Sequence, residues 1–294
     1  MGIPNLEYIQ PRTIEETCDL LQQYKGRARI LAGGTDLLNR LKKRDVTPDI
    51  LIDLRGIPDL DQIVLNENQG VTIGTLTPIQ ALEDSPLIRQ RYGVLHQAVS
   101  QMGSVQVRHM GTIGGNLCNA APSAETAPAL IGLEARARII GKRRERTVLV
   151  EDFFIGPGKA VLEEGEFLID LQLPAPIPNT AGVYLKHTLR RAMDIAMVGV
   201  AVVANLNSEG RVFRDVKIVM GAVAPIPMRA KQAEALVRGK TLSVKLAEEA
   251  AELASREAKP ISDIRASAEY RRKMIRVLTV DAIQRAWELA KADP

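Results

Sequence analysis

The chain is poor in thiols and imidazoles: Cys18, Cys118, His96, His109 and His187 are all that its 294 residues contain. The cysteines form no CxxC pair. They supply neither a disulfide framework nor a cysteine-ligated zinc or iron–sulfur centre. The histidines show no HxxxH spacing, so no metal site is expected in this chain. Aromatic residues make up only 3%, too few for a surface on which nucleic-acid bases stack. No apolar run approaches the length of a membrane span. The opening residues, MGIPNLEYIQPRT, lack the charged-then-apolar form of a secretory signal. A cytoplasmic protein with no nucleic-acid partner is the expectation. GxGxxG is missing, as is a P-loop ending in GKS or GKT. No repeat of fixed period and no low-complexity segment appear.

What is present points to a folded protein with a small ligand. Hydrophobic residues make up 46%, enough to form a packed core. The length accommodates two ordinary domains or one large one. The net charge of +4 is scattered along the chain rather than blocked. A mild basic balance of this kind fits a phosphate-bearing ligand or an acidic partner.

The first third alternates strand and helix signals, the mark of a small α/β unit. Thr13 and Glu16 form a capping box that opens a helix through Tyr24. RARILA reads as a strand, DLLNRLKKR as a helix and DILIDL as a buried strand. GVTIGTLT is strand-like, and Thr77 with Pro78 is a cap and first turn for a further helix. YGVLHQAVSQM is helical. ARARII, RTVLVEDFF and EFLIDLQL alternate as strands. PAPIP, at 174–178, is a linker. Beyond it GVYLKHTLR, MVGVAVVANLN and RVFRDVKIVMG read as three strands, the last two joined by the turn Ser208, Glu209, Gly210. Helices then follow through AKQAEALVRG, LAEEAAELASREA and EYRRKMIRVLTVDAIQRAWELAK. The whole is an α+β chain: a two-part first domain over 1–176, dividing near 57/58, and a second domain over 177–294.

Two stretches, ILAGGTDLL and GTIGGN, pair adjacent glycines with small polar residues. A strand that ends in Gly-Gly and runs into a helix exposes backbone N–H groups at a positive helix terminus, and glycine lets an anion approach the main chain. In the first stretch Thr35 can donate its hydroxyl and Asp36 can cap the helix. In the second Thr112 and Asn116 are side-chain donors. Two such nests facing each other would grip a pyrophosphate. Either stretch taken singly is also explained by a turn.

Together, AGGTDLL (32–38) and TIGGNLCNAAPSAETAPAL (112–130) resemble the FAD-binding subunit or domain of the molybdenum hydroxylases. That family includes xanthine dehydrogenase, aerobic carbon monoxide dehydrogenase and 4-hydroxybenzoyl-CoA reductase. The resemblance extends through FFIGPGKAVLEEGEFL (153–168) and YLKHTLRRAMDIAMVGVAV (184–202), so it covers nearly the whole chain. It implies an FAD domain of two subdomains followed by a C-terminal α+β domain. It places Ala32, Gly33, Gly34, Thr35 and Asp36, together with Thr112, Ile113, Gly114, Gly115 and Asn116, around the FAD pyrophosphate. It assigns the adenosine ribose to Glu125, where most relatives have the shorter Asp. Met102, Leu168 and Lys186 fall at further flavin-nucleotide contacts. Ile195 corresponds to a loop residue against the flavin, an arrangement similar to the xanthine dehydrogenase branch. The cysteine-rich insertion of the hydroxybenzoyl-CoA reductase branch is missing.

The resemblance also implies partners. A large subunit would hold molybdopterin, with molybdenum or tungsten, and hydroxylate the substrate. A small subunit would hold 2Fe–2S clusters. Electrons would pass from these through FAD to an acceptor, NAD being the expectation. No side chain of this chain need then act as an acid or base. A self-contained flavin-dependent oxidase or reductase would instead need a base, and only Lys186, His187 and Asp194 offer one. A non-catalytic anion-binding scaffold is the third reading. Arg190 and Arg191 are candidates for a nicotinamide-nucleotide entrance or for plain surface. Cys118 and Cys18 read as packing residues, His109 and His187 as hydrogen-bonded structural residues. GKRRERT, with Lys142, Arg143, Arg144 and Arg146, reads as a solvated hairpin.

Overall fold

The computed structural model describes residues 5–66, 70–190 and 192–292. Its first unit contains β1 (Glu7–Ile9), α1 (Ile14–Tyr24), β2 (Ala28–Leu31), α2 (Leu37–Lys43) and β3 (Ile50–Asp53). The strands are parallel, in the order β1-β3-β2. Parallel neighbours need crossover connections, and helices supply them. The central strand β3 is buried along its whole length, which is why DILIDL shows no alternation. Thr13 starts α1, its hydroxyl accepting from the Glu16 N–H at 3.0 Å. The return half of the expected capping box shifts by one residue. The Glu16 carboxylate accepts from the Arg12 N–H at 2.7 Å instead of from Thr13.

The second unit contains β4 (Ile63–Asn66), β5 (Gly70–Gly74), α3 (Ile79–Asp84), α4 (Pro86–Arg91), α5 (Gly93–Ser100), α6 (Val105–Met110), α7 (Ile113–Asn119), α8 (Thr126–Gly132), β6 (Arg136–Gly141), β7 (Arg144–Leu149), β8 (Phe154–Gly156), β9 (Lys159–Ala160) and β10 (Glu166–Leu173). Its main sheet is antiparallel, in the order β4-β5-β10-β6-β7. β10 serves two cores. Phe167 and Ile169 pack with the first unit, whereas Leu168 and Leu171 pack with the helices of the second. The cap expected at Thr77 is not formed. Pro78 sits just before α3 and pairs with Thr112 in an isolated β-bridge. Drawn into that bridge, Thr77 is buried, and its hydroxyl donates to the Gln62 carbonyl at 3.3 Å.

The third unit contains β11 (Thr180–His187), β12 (Val198–Leu206), β13 (Phe213–Gly221), β14 (Met228–Arg229), α9 (Lys231–Val237), α10 (Val244–Glu257) and α11 (Ala268–Ala292). The three expected strands form an antiparallel sheet, and the two-residue β14 extends its edge. Both faces are covered. Val200, Val202, Ile218 and Met220 pack against α9, α10 and α11, while Tyr184, Ala201, Val203 and Val219 join the core of the second unit. The linker at 174–178 therefore joins units that share a core. No helix among the described residues is long and apolar enough to cross a membrane.

Candidate functional site

A cleft of about 780 Å³ lies between the first two units, and the loop from β11 to β12 forms part of its wall. The first glycine stretch supplies one side. β2 ends at Leu31, α2 begins at Leu37, and Gly34 turns the chain at φ +75°. Only glycine holds that conformation without strain. Among the described residues, the backbone N–H groups of Gly33, Gly34, Thr35 and Asp36 donate to no protein acceptor. Exposed N–H groups beside a helix start are the makings of an anion site. The expected side-chain cap at Asp36 is not made. This residue already has helical angles, φ −97° and ψ −48°, whereas a capping side chain works from an extended backbone.

The second glycine stretch is built differently from the expected nest. No strand leads into it. α6 ends at Met110, and Gly114 and Gly115 lie inside the first turn of α7. Their N–H groups are engaged within the protein. Ile113 donates to the Thr77 carbonyl and Gly114 to the Thr75 carbonyl, both at 3.0 Å, and Asn116 donates to the Thr112 carbonyl at 2.9 Å. Gly115 donates to the Thr112 hydroxyl at 3.0 Å. What faces the cleft is side-chain chemistry. The Thr112 hydroxyl accepts from Gly115 and keeps its own proton to donate. The Asn116 amide oxygen accepts from the Thr126 hydroxyl, leaving its NH₂ as a donor.

The glycines first make room for other parts of the protein. A Cβ on Gly33 would lie 1.8 Å from the Met110 carbonyl oxygen, and one on Gly114 would lie 1.8 Å from the Thr75 hydroxyl. Gly115 is less confined: a Cβ there meets the Thr112 hydroxyl at 2.9 Å, which would have to shift, and otherwise only the Ala32 Cβ at 3.9 Å. The two stretches are thus in close contact, one offering free N–H groups and the other a hydroxyl, an amide and a bare Cα.

Of the residues expected at the site, Ala32, Gly33, Thr35, Asp36, Met102, Thr112, Gly114, Gly115, Asn116, Glu125, Leu168 and Ile195 line the cleft. Gly34, Ile113 and Lys186 do not. Gly34 makes the turn, and Ile113 is fully buried in the core of the second unit. Lys186 lies behind Glu125, and the two form a buried ion pair at 2.8 Å. Its ammonium also donates to the carbonyls of Gln101 and Asp194, each at 2.9 Å.

Two apolar groups complete the walls. Met102 and Val107 lie on one part with Met193 and Ile195, brought together by the Met193 N–H donating to the Gly103 carbonyl at 3.0 Å. Leu54, Leu162, Phe167 and Leu168 form the other. Sequence reasoning missed Met193, Gly103, Arg29 and Arg40. Arg40 had a signal: it stands four residues after Asp36 and so shares its helix face. Met193 and Gly103 had none, since contacts from another unit place them.

The three side chains that offered a base are otherwise engaged. The Asp194 carboxylate accepts from the N–H groups of Leu189, Arg190 and Ile195 at 2.8, 2.9 and 3.1 Å. These bonds, that to Arg190 foremost, hold its carboxyl below the usual range. Lys186 has donated all three of its protons. His187 bonds the Tyr270 hydroxyl at 3.0 Å, and burial pushes its pKa down. Arg190 is exposed, lies off the cleft and donates to the Met193 carbonyl at 2.8 Å. Arg191 lies outside the described residues.

Cys118 lines the cleft, and burial pushes its thiol up to about 12, so it stays neutral. A neutral thiol is neither nucleophile nor ligand. Cys18 packs in the first core. His109 bonds the Val105 carbonyl at 2.8 Å. The basic hairpin is less solvated than expected. Arg146 and Arg144 converge on the buried Glu166 at 2.7 and 3.0 Å. The Arg146 guanidinium, opposed by desolvation, is the main cause that brings this carboxyl down to about 2. Among the described residues no group of His, Cys, Asp and Glu could hold a metal ion.

A dinucleotide fits this donor set. Its anionic middle needs N–H and O–H donors with no side chain in the way, and its two ring systems need separate apolar walls. The comparisons with known proteins agree. The family of the FAD binding domain in molybdopterin dehydrogenase matches residues 4–176, and the CO dehydrogenase flavoprotein C-terminal domain matches residues 183–286. The chain belongs to this family: it is an FAD-binding medium subunit of the molybdenum hydroxylase type.

Among individual relatives, it is 32% identical to the glyceraldehyde dehydrogenase medium chain of Sulfolobus acidocaldarius, over 96% of this chain and 98% of that one. It is 30% identical to the putative xanthine dehydrogenase FAD-binding subunit of Escherichia coli, over 95% of each. The solved carbon monoxide dehydrogenase of Hydrogenophaga pseudoflava superposes with a TM-score of 0.94 at 32% identity, over 98% of this chain and 99% of that one.

Proposed function

We propose that this chain is the electron-transfer subunit of a cytoplasmic molybdenum hydroxylase complex. It would hold FAD in the cleft between residues 32–36 and 112–116. Its partners would be a small subunit with 2Fe–2S clusters and a large molybdopterin subunit, and NAD would be its acceptor. The observation that carries the reading is that Gly33, Thr35 and Asp36, whose N–H groups have no partner among the described residues, line the same apolar-walled cleft as Thr112 and Asn116. FAD, when bound, supplies a centre that accepts electrons singly and releases them in pairs. The chain itself would bind, orient and shield. Thr112, Asn116 and the N–H arc would hold the pyrophosphate. The free oxygen of Glu125 would accept from a ribose hydroxyl. Leu168 would contact the nucleotide, and Met102 and Ile195 would wall the flavin. Division into an FAD domain over 1–176, itself split near 57/58, and a domain over 177–294 belongs to the same reading.

Gly115→Val tests the cofactor site. Unlike Gly34, Gly115 lies in a helical backbone, and a side chain there displaces the Thr112 hydroxyl rather than backbone, so the fold survives while the cleft fills. The assembled complex should lose most of its visible flavin absorption while still melting cooperatively, at a Tm lowered by no more than the loss of one helix cap. Full retention of FAD would refute the site. The purified single chain should hydroxylate no heterocycle or aldehyde; turnover by it would favour a self-contained flavoenzyme. Branch and acceptor rest on Ile195, half-exposed on the cleft wall. In the xanthine-dehydrogenase-like reading it moves aside for a nicotinamide ring. Ile195→Tyr should then slow flavin reduction by NADH at least about tenfold, ~1.4 kcal/mol of barrier, with FAD content unchanged. A wild-type complex inert to NADH but rapidly oxidised by a quinone or ferredoxin would remove NAD from the assignment.

A further inference from the structure

Lys186 is where three separate segments meet. It stands at the end of β11 with its side chain 5% exposed. Its ammonium donates to the Glu125 carboxylate at 2.8 Å, and to the Gln101 and Asp194 carbonyls at 2.9 Å each. An ammonium has three protons to donate, so none is left for a ligand. Glu125 uses one oxygen in the pair. Its other oxygen makes no hydrogen bond among the described residues, and Glu125 lines the cleft. Asp194 in turn organises the loop between β11 and β12, its carboxylate gathering three backbone N–H groups. Met193 and Ile195 extend from that loop into the cleft wall, 55% and 47% exposed. Packing therefore does little to hold them. Among the described residues, the hydrogen bonds that tie the loop to the second unit are that from Met193 to Gly103 and those of Lys186 to Asp194 and Gln101.

We infer that Glu125 and Lys186 form a positioning pair that couples occupancy of the cleft to the position of the 188–196 loop. A ligand hydroxyl that donates to the free oxygen of Glu125 orients the carboxylate. The carboxylate orients the ammonium, and the ammonium holds the Asp194 carbonyl and with it Met193 and Ile195. The pair acts as a unit because either charge left alone would be buried and uncompensated. The inference rests on the reading that the cleft takes FAD, whose ribose and ribityl groups carry such hydroxyls. It adds that the nucleotide sets the acceptor side of the flavin from a distance, through Lys186.

The test uses the assembled complex, wild type and the double variant Lys186→Met with Glu125→Gln. That variant keeps similar volume and leaves no buried unpaired charge. Backbone hydrogen exchange is followed in peptides over 188–197 and, as a reference, over β12 and β13, with FAD bound and after its removal. Flavin content is read from the spectrum. In the wild type, FAD should slow exchange of the loop about tenfold. In the variant that protection should vanish from the loop while β12 and β13 stay protected, and KM for the acceptor should rise more than kcat falls. The inference is overturned by a flavin-loaded wild type whose loop exchanges alike with and without FAD. Equally fatal would be a variant whose loop keeps its protection, or one whose exchange rises evenly across β11, β12 and β13. A wild-type complex that carries no flavin fails the cofactor reading itself, a result the spectrum separates from the others.

Discussion

Gly33-Gly34 and Gly114-Gly115 are the same two letters put to different uses. The first pair follows a strand and leaves four successive N–H groups, from Gly33 to Asp36, without partners among the described residues. The second pair sits inside a helix whose N–H groups are all engaged. What they share is contact with other chain segments. Gly33 abuts Met110, and Gly114 abuts Thr75. A double glycine is therefore no evidence of a nest until its N–H groups have been traced. The partition also separates two kinds of variant, those that disrupt packing and those that disrupt binding.

The largest effect should come from the packing glycines. Gly33→Ala and Gly114→Ala each insert a methyl group at 1.8 Å from an oxygen. Overpacking of this sort costs about 1–3 kcal/mol and sometimes more. For a chain of this size that lowers Tm by roughly 2–5 °C. Gly115→Ala, which displaces a single hydroxyl at 2.9 Å, should lower Tm less than either. Thermal melts of the flavin-free chain make the comparison. Equal melts for all three would mean that Gly33 and Gly114 serve the ligand and not the fold.

The next effect concerns the platform beneath Gly114. Thr75, which receives the Gly114 N–H, itself donates to the Ile169 carbonyl of β10 at 2.9 Å. β10 is anchored at its start by Glu166 between Arg146 and Arg144. The carboxyl lies at about 2 in the folded chain against an ordinary 4.5. A depressed folded value means that its stabilisation is complete above pH 4.5 and is lost as pH falls from there towards about 2. Glu166→Gln should cost on the order of 2 kcal/mol at neutral pH, somewhat under the full linkage value because Arg144 is half-exposed. The gap between wild type and variant should close as the solution is acidified through that window. Urea titrations at several pH values measure it, and a gap independent of pH would remove the ion cluster as its cause.

Much of this was legible in the sequence. Period and punctuation located α1, the longer strands of all three units but not β1, β4, β8, β9 or β14, and the loop at 174–178, and the first glycine stretch showed its strand-to-helix geometry. The second did not, because SVQVRHM is too short to declare a helix by period, and the partner that defines Gly114 is Thr75, on another element. The ion pair of Glu125 with Lys186 was illegible for the same reason. Both residues were singled out as separate contacts, and the pairing of β11 against the second unit is what joins them. The half-shifted box at Glu16 and the bridge that buries Thr77 show local signals yielding to tertiary ones. Partners that lie on another unit were not readable, and even local caps at Glu16 and Asp36 were settled by surroundings the sequence does not show.

The smallest effect tests the two helix starts directly. Thr112 and Asp36 stand in equivalent places, each just before the helix that follows its stretch. Thr112 has an extended backbone, φ −112° and ψ 156°, and its hydroxyl accepts from the Gly115 N–H. Asp36 has a helical backbone and caps nothing with its side chain. Thr112→Ala should therefore destabilise by about 1 kcal/mol, with Thr112→Ser restoring most of it. Asp36→Ala should stay within about 0.5 kcal/mol of wild type, since its exposed carboxylate accepts only a long 3.5 Å bond from the Thr35 hydroxyl. The flavin-free chain gives these numbers without interference from the cofactor. If Asp36→Ala cost as much as Thr112→Ala, its carboxylate would be satisfying the N–H arc. The two stretches would then be alike after all: both would be capped helix starts, and the arc would not be free for an anion.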